Sequence, residues 1–123
     1  RDQSAHMDIK KMGIFPVVHG ARALSLESHL EETNTFDRLH QLSNKGILDE
    51  ALAKDVGEAL TYMMDIRLKS GLEALSLGVH DKDLNELDTT NMSTLERDLL
   101  KDALQVVKRF KAKIRQHFHL GNA

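Results

Sequence analysis

Cations and glycines crowd one short stretch of this chain: Lys10, Lys11, Gly13, His19, Gly20 and Arg22 surround Pro16, the only proline. Side chains of these types supply hydrogen bonds and positive charge, the means by which a protein holds an anion. A second isolated cation is Arg67, which falls three or four residues from Met63 and Met64 on an otherwise apolar helical face. A charge there costs free energy unless paired. Three placements are open: at the edge of the stripe with its head in water, in a cleft facing an anion, or against an internal partner such as Glu96 or Asp98.

Motifs for bond-making chemistry are sparse. Polymerase-type nucleotidyl transfer needs a Gly-Ser turn for the triphosphate and paired carboxylates for Mg2+, and no Gly-Ser pair occurs. Asp81-Lys82-Asp83 has the spacing of a metal-binding pair, but its polar surroundings read as a solvated loop. No phosphate-cradling glycine-rich motif of the Walker type is present. Seven histidines and no cysteine raise the question of metal. His117 and His119, two apart on a helix, point about 200° from each other, and no H-E-x-x-H pattern occurs. They read as frayed terminal residues, and no metal site is expected. Arg22 and His29, seven apart and so on one helix face, have the spacing of small helical ribonucleases of toxin systems. Arg22 is followed by Ala23 and lies in the first helix, so chance explains the match better.

The elements that position these residues are helices. At 123 residues one domain with a single core is expected, short for an enzyme with its own cofactor fold. Residues 1–15 read as an entry segment, with Pro16 in the first helical turn, where its missing N–H costs nothing. Apolar spacing near 3.6 then predicts helices over 16–31, 35–45, 49–77 and 93–119. Gly20 inside the first reads as a close-packing point. The cluster Glu32-Thr33-Asn34-Thr35 and Asp49 supply caps, Gly46 and Gly78 stops. Ser93-Thr94-Leu95-Glu96 is a capping box. From it, Leu95, Leu99, Ala103, Val106, Val107, Phe110, Ile114 and Phe118 form a stripe to the C-terminus, and on the third helix the face includes Leu60, Met63, Met64, Leu72 and Leu75. No strand is expected, and residues 79–92 read as a loop. The fold class is therefore all-α, a four-to-five-helix bundle of up-and-down type.

Charge is uneven. The formal net charge is −2, yet residues from Lys101 onward carry +5 and the first hundred −7. Cations late in a helix oppose its dipole favourably, so part of this is helix chemistry. Nucleic acid would demand a more basic, more aromatic domain, and no apolar run suits a bilayer. Lack of cysteine fits a reducing cytoplasm. The start at Arg1 without a methionine fits a piece of a longer protein.

Asp8-Ile9-Lys10-Lys11 through Arg22, then Glu32 to Leu39, Ile66-Arg67-Leu68, and Leu95 to Leu104 with the tail to His117-Phe118 resemble, in matching order over nearly the whole chain, the substrate-binding domains of bacterial nucleotidyltransferases. Met12 departs from the family, where a glycine is common, and stiffens the entry segment. The resemblance implies a non-catalytic C-terminal helical domain of a signalling protein, following a nucleotidyltransferase domain and often cyclic-nucleotide-binding and CBS-pair modules. That architecture is similar to uridylyltransferases of nitrogen signalling and to aminoglycoside nucleotidyltransferases. Within such a domain, Lys10, Lys11, His19, Arg22 and Arg67 are the residues whose charge and hydrogen-bonding groups are expected to contact phosphate or an acidic acceptor, protein or small molecule. No cofactor is expected in this chain, whereas Mg2+ and a nucleoside triphosphate belong to the upstream domain. The alternative is a helical interaction or dimerisation module, compatible with a homo-oligomer. A partner surface would show an exposed apolar patch on the third or fourth helix, and a substrate site a cleft with converging cations.

Overall fold

The computed structural model describes residues 6–78 and 86–121, and the Asp81-Lys82-Asp83 motif lies outside them. Four helices make up the body: α1 (Phe15–Glu27), α2 (Thr35–Asn44), α3 (Glu50–Ser76) and α4 (Thr94–Gly121). This is the expected all-α bundle. A two-stranded antiparallel pair joins β1 (His6–Asp8) to β2 (Glu86–Asp88), with Met7 opposite Leu87. That pair corrects the expectation of no strand and gives part of the 79–92 stretch order. Three residues are too few to show a period, and it is the partner strand far along the chain that makes each extended.

The entry segment is also more ordered than expected. Lys10–Ile14 is one π-helical turn running directly into α1. Pro16 explains it. In an unbroken α-helix the proline ring would strike the carbonyl of Met12. The Phe15 N–H instead reaches back five residues to the Lys10 carbonyl, and the widened turn makes room.

At its other end α1 stops at Glu27, four residues short of the predicted limit. The Leu30 N–H donates to the Ser25 carbonyl (2.9 Å) and the His29 N–H to that of Leu26 (3.2 Å). This is a Schellman closure with His29 in the left-handed region at φ 61°, a place glycine usually takes. The same closure ends α2, where Gly46 has φ 76° and its N–H meets the Ser43 carbonyl. Because His29 is off the helix, Arg22 and His29 do not share a helical face, and the ribonuclease spacing loses its geometry.

Caps fall where the sequence puts them. Asn34 Oδ1 accepts from the Phe36 and Asp37 amides at 2.8 and 3.3 Å, and Asp49 from Leu52 at 3.2 Å. In the capping box the Ser93 N–H donates to Glu96 Oε1 (2.9 Å) and the Glu96 N–H to Ser93 Oγ (3.1 Å). These bonds, with Lys69 nearby, hold the Glu96 carboxyl below its ordinary range. Ser93→Ala is expected to cost about 0.5–2 kcal/mol, read as a lower urea midpoint at unchanged slope. An unmoved midpoint would mean that α4 starts elsewhere.

The core is filled by Val17, Ala21 and Leu24 of α1, Leu39 and Leu42 of α2, Val56, Leu60 and Met63 of α3, and Leu100, Ala103, Val107 and Phe110 of α4. Two parts of the predicted faces are corrected. Leu95 and Leu99 are exposed and Leu100 is buried in their stead. On α3, Met64, Leu72 and Leu75 face outward. Gly20 is the close-packing point that its sequence setting implied: a β-carbon there would strike Ile114 Cδ1 and come to 3.0 Å from Phe110 Cε2. A β-carbon on Gly13 would strike Met63 Sδ and reach 3.5 Å from Leu104 Cδ2. Together with Glu27 against His117, these contacts place α1 parallel to α4. The pairs Asp55–Arg109 and Tyr62–Glu96 place α3 antiparallel to α4, so the first and last helices run the same way, which corrects the expected up-and-down alternation.

Candidate functional site

The π turn and α1 bring four of the predicted residues to one stretch of surface. Lys10 Nζ lies 5.3 Å from the centroid of the Phe15 ring, within the reach of a cation–π attraction. The same ring meets His19 edge-on, centroids 5.4 Å apart. Phe15, His19 and Arg22 are spaced i, i+4, i+7 on the outer face of α1, and all three are exposed. Lys11 is exposed beside them, and its backbone N–H is tied to Asp8 Oδ1 at 3.1 Å. No ion pair among the described residues engages Lys10, Lys11 or Arg22.

The sequence reading missed the role of Phe15. It is the centre of the row: Lys10 lies over its face and His19 at its edge. Its spacing of four from His19 was a legible signal, but Lys10 reaches the ring through the π turn, which no local pattern announces.

Arg67 belongs elsewhere. It sits on α3 one turn past Met63, half-buried and engaged with another group. Glu96, one of the partners considered, is bridged by Lys69 at 3.6 Å, and its backbone carbonyl accepts from the Tyr62 hydroxyl at 2.9 Å. Burial of Tyr62 pushes its hydroxyl pKa up.

His117 is not frayed. Its Nε2 lies 2.9 Å from Glu27 Oε1, joining the ends of α1 and α4 and holding the Glu27 carboxyl below its ordinary range. Among the described residues no group of three or more His, Asp or Glu is placed to hold a metal ion. No helix among them is long and apolar enough to cross a membrane.

The arrangement on α1 suits binding. An ammonium lies over an aromatic ring and a guanidinium follows two turns further along the same helix face, so an anionic group on a flat or apolar body would find charge and an aromatic surface on one side of α1. The row holds no paired carboxylates and no nucleophile next to a base.

No curated protein and no solved structure matches the chain. A family model does, over residues 1–118, a span that takes in the π turn, all of the α1 row, Arg67 and α4 to Phe118. The chain thus belongs to the family described as "putative nucleotidyltransferase substrate binding domain", the family whose residue order its sequence resembles.

Proposed function

We propose that this chain is the non-catalytic substrate-binding domain of a bacterial signalling nucleotidyltransferase, and that it holds the acceptor against a separate catalytic domain. The observation that supports this is the row of Lys10, Phe15, His19 and Arg22 on the outside of α1, whose cations enter no ion pair among the described residues, in a chain of that family. Arg22 would make a paired contact to phosphate or carboxylate, Lys10 and Lys11 would add charge, and the Phe15 ring would carry the acceptor's apolar part. Holding two reactants in register is itself a large rate factor. Mg2+ and the nucleoside triphosphate would be supplied by the catalytic domain, where the bond to the leaving pyrophosphate breaks.

Nucleotide incorporation by the full-length protein tests this, with Arg22→Glu and Lys10→Glu compared against wild type. Charge-assisted contacts contribute about 1.5–3 kcal/mol each, so the acceptor KM is expected to rise roughly 10- to 150-fold while helicity and Tm hold. The isolated chain should transfer no nucleotide. An unchanged KM in both variants would move the acceptor off α1. Nucleotide transfer by the isolated chain would overturn the non-catalytic assignment.

A second reading, an interaction module, is favoured by one observation: the apolar row Met64, Leu68, Leu72 and Leu75 lies exposed on α3.

A further inference from the structure

Between α2 and the first half of α3 runs a groove of about 980 Å3. Phe36 and His40 wall it on the α2 side. Its floor is a row of small residues on α3, Ala53, Gly57 and Thr61, spaced by four. The floor is open: a β-carbon on Gly57 would meet just Phe36 Cδ1, at 3.9 Å.

The groove does not end with α2. That helix has ten residues and α3 has 27, so α2 covers the first half of α3 and leaves the second bare. Beyond Phe36 the same side of α3 continues as Met64, Leu68, Leu72 and Leu75, each 47–59 % exposed. From Ala53 to Leu75 the track is roughly 33 Å long, about six helical turns. Along the groove stand Glu50, Glu58 and Asp65, all exposed. No ion pair among the described residues engages them, and Lys54 and His40 oppose them in part.

We propose that this track docks an amphipathic helix from a partner protein, one that carries Lys or Arg beside its apolar face. Small residues on the floor let a second helix approach closely, and the leucines beyond them give it apolar surface to bury. The acidic rim selects the sign of the flanking charges. A second copy of this chain is a poor occupant. The basic stretch of α4, from Lys101 to Arg115, has spent its apolar side (Ala103, Val107 and Phe110) on the core, and the exposed Leu95 and Leu99 precede it, among the acids Glu96, Asp98 and Asp102. The track lies on other elements than the α1 row, so this inference and the acceptor reading fail separately.

The probe is a dansyl-labelled 22-residue peptide of leucines and lysines in helical spacing, titrated against the chain with fluorescence anisotropy as readout. The same peptide with glutamate in place of lysine is the control. One-to-one binding of the lysine peptide is expected, at least about tenfold tighter than the glutamate peptide. Gly57→Leu should fill the groove, raise helix propensity and weaken the lysine peptide at least about tenfold without lowering Tm. Leu68→Gln, at an exposed position, should weaken it as well. Equal binding of the two peptides, or wild-type affinity in both variants, would overturn the proposal. So would a dimer of the chain, seen by sedimentation, that Leu68→Gln dissociates, since the occupant would then be a second copy.

Discussion

Phe110→Ala should cost this fold about 3–5 kcal/mol, the range for truncating a buried aromatic. Phe110 is fully buried on α4, and its ring edge comes within 3.0 Å of where a β-carbon on Gly20 would stand. That neighbour decides the magnitude. The cost of a core truncation depends on how far the surroundings collapse into the space, and a glycine has no side chain to move into it. Ile114 and Val107 are fixed to the same helix, so they cannot follow without bending α4. A chain of this size is stable by roughly 6–18 kcal/mol, so the change removes a large share. Urea unfolding should show a lower midpoint at unchanged slope, and the melting temperature should fall by roughly 10–20 °C. Leu95→Ala on the same helix should stay within about 0.5 kcal/mol, because Leu95 is 69 % exposed. A loss under about 1 kcal/mol at Phe110 would mean that α1 does not rest on α4 in the manner described.

What the sequence made legible was local, and what it hid depended on partners. The Ser93–Glu96 box, the Asn34 and Asp49 caps and the Gly46 stop each satisfy backbone groups within a few residues, so residue types alone disclose them. The α4 face shows where that fails. Its sequence offers two rows, 95/99/103/106 and 100/103/107/110, and helical spacing admits both. The structure buries the second because α1 and α3 lie on that side. On α3 the outward Met64, Leu72 and Leu75 have the right period for a core, but α2 is too short to cover them. His29 ended α1 early because its left-handed backbone has no marker as plain as a glycine. At the candidate site the cations were legible by type, whereas the Lys10–Phe15 contact needed the π turn. The groove over Gly57 was hidden altogether, since its walls come from two helices whose pairing no single segment encodes.

Gly20→Leu should destabilise the fold, with overpacking of about 1–3 kcal/mol or more set against a helix-propensity gain of about 1 kcal/mol. The β-carbon alone would collide with Ile114 Cδ1 and press on the Phe110 ring. Phe110 is fully buried within the core cluster, so three further carbons at Gly20 press α1 away from α4. Such a wedge acts along the whole parallel seam. At its far end the His117 ring would leave Glu27, now 2.9 Å away, and the Glu27 carboxyl would lose the bond that holds its pKa down. The sign follows: a depressed carboxylate pKa stabilises the fold above the unfolded value and ceases to do so as pH falls through the folded one. In Gly20→Leu the Glu27 titration, followed by NMR of the side-chain carboxyl, should therefore move up toward its ordinary 4.5. Gly57→Leu, on open surface, should leave that titration where it is. A Gly20→Leu protein that keeps both its melting temperature and the depressed Glu27 titration would show that the seam yields freely, and the parallel α1–α4 packing would have to be redrawn.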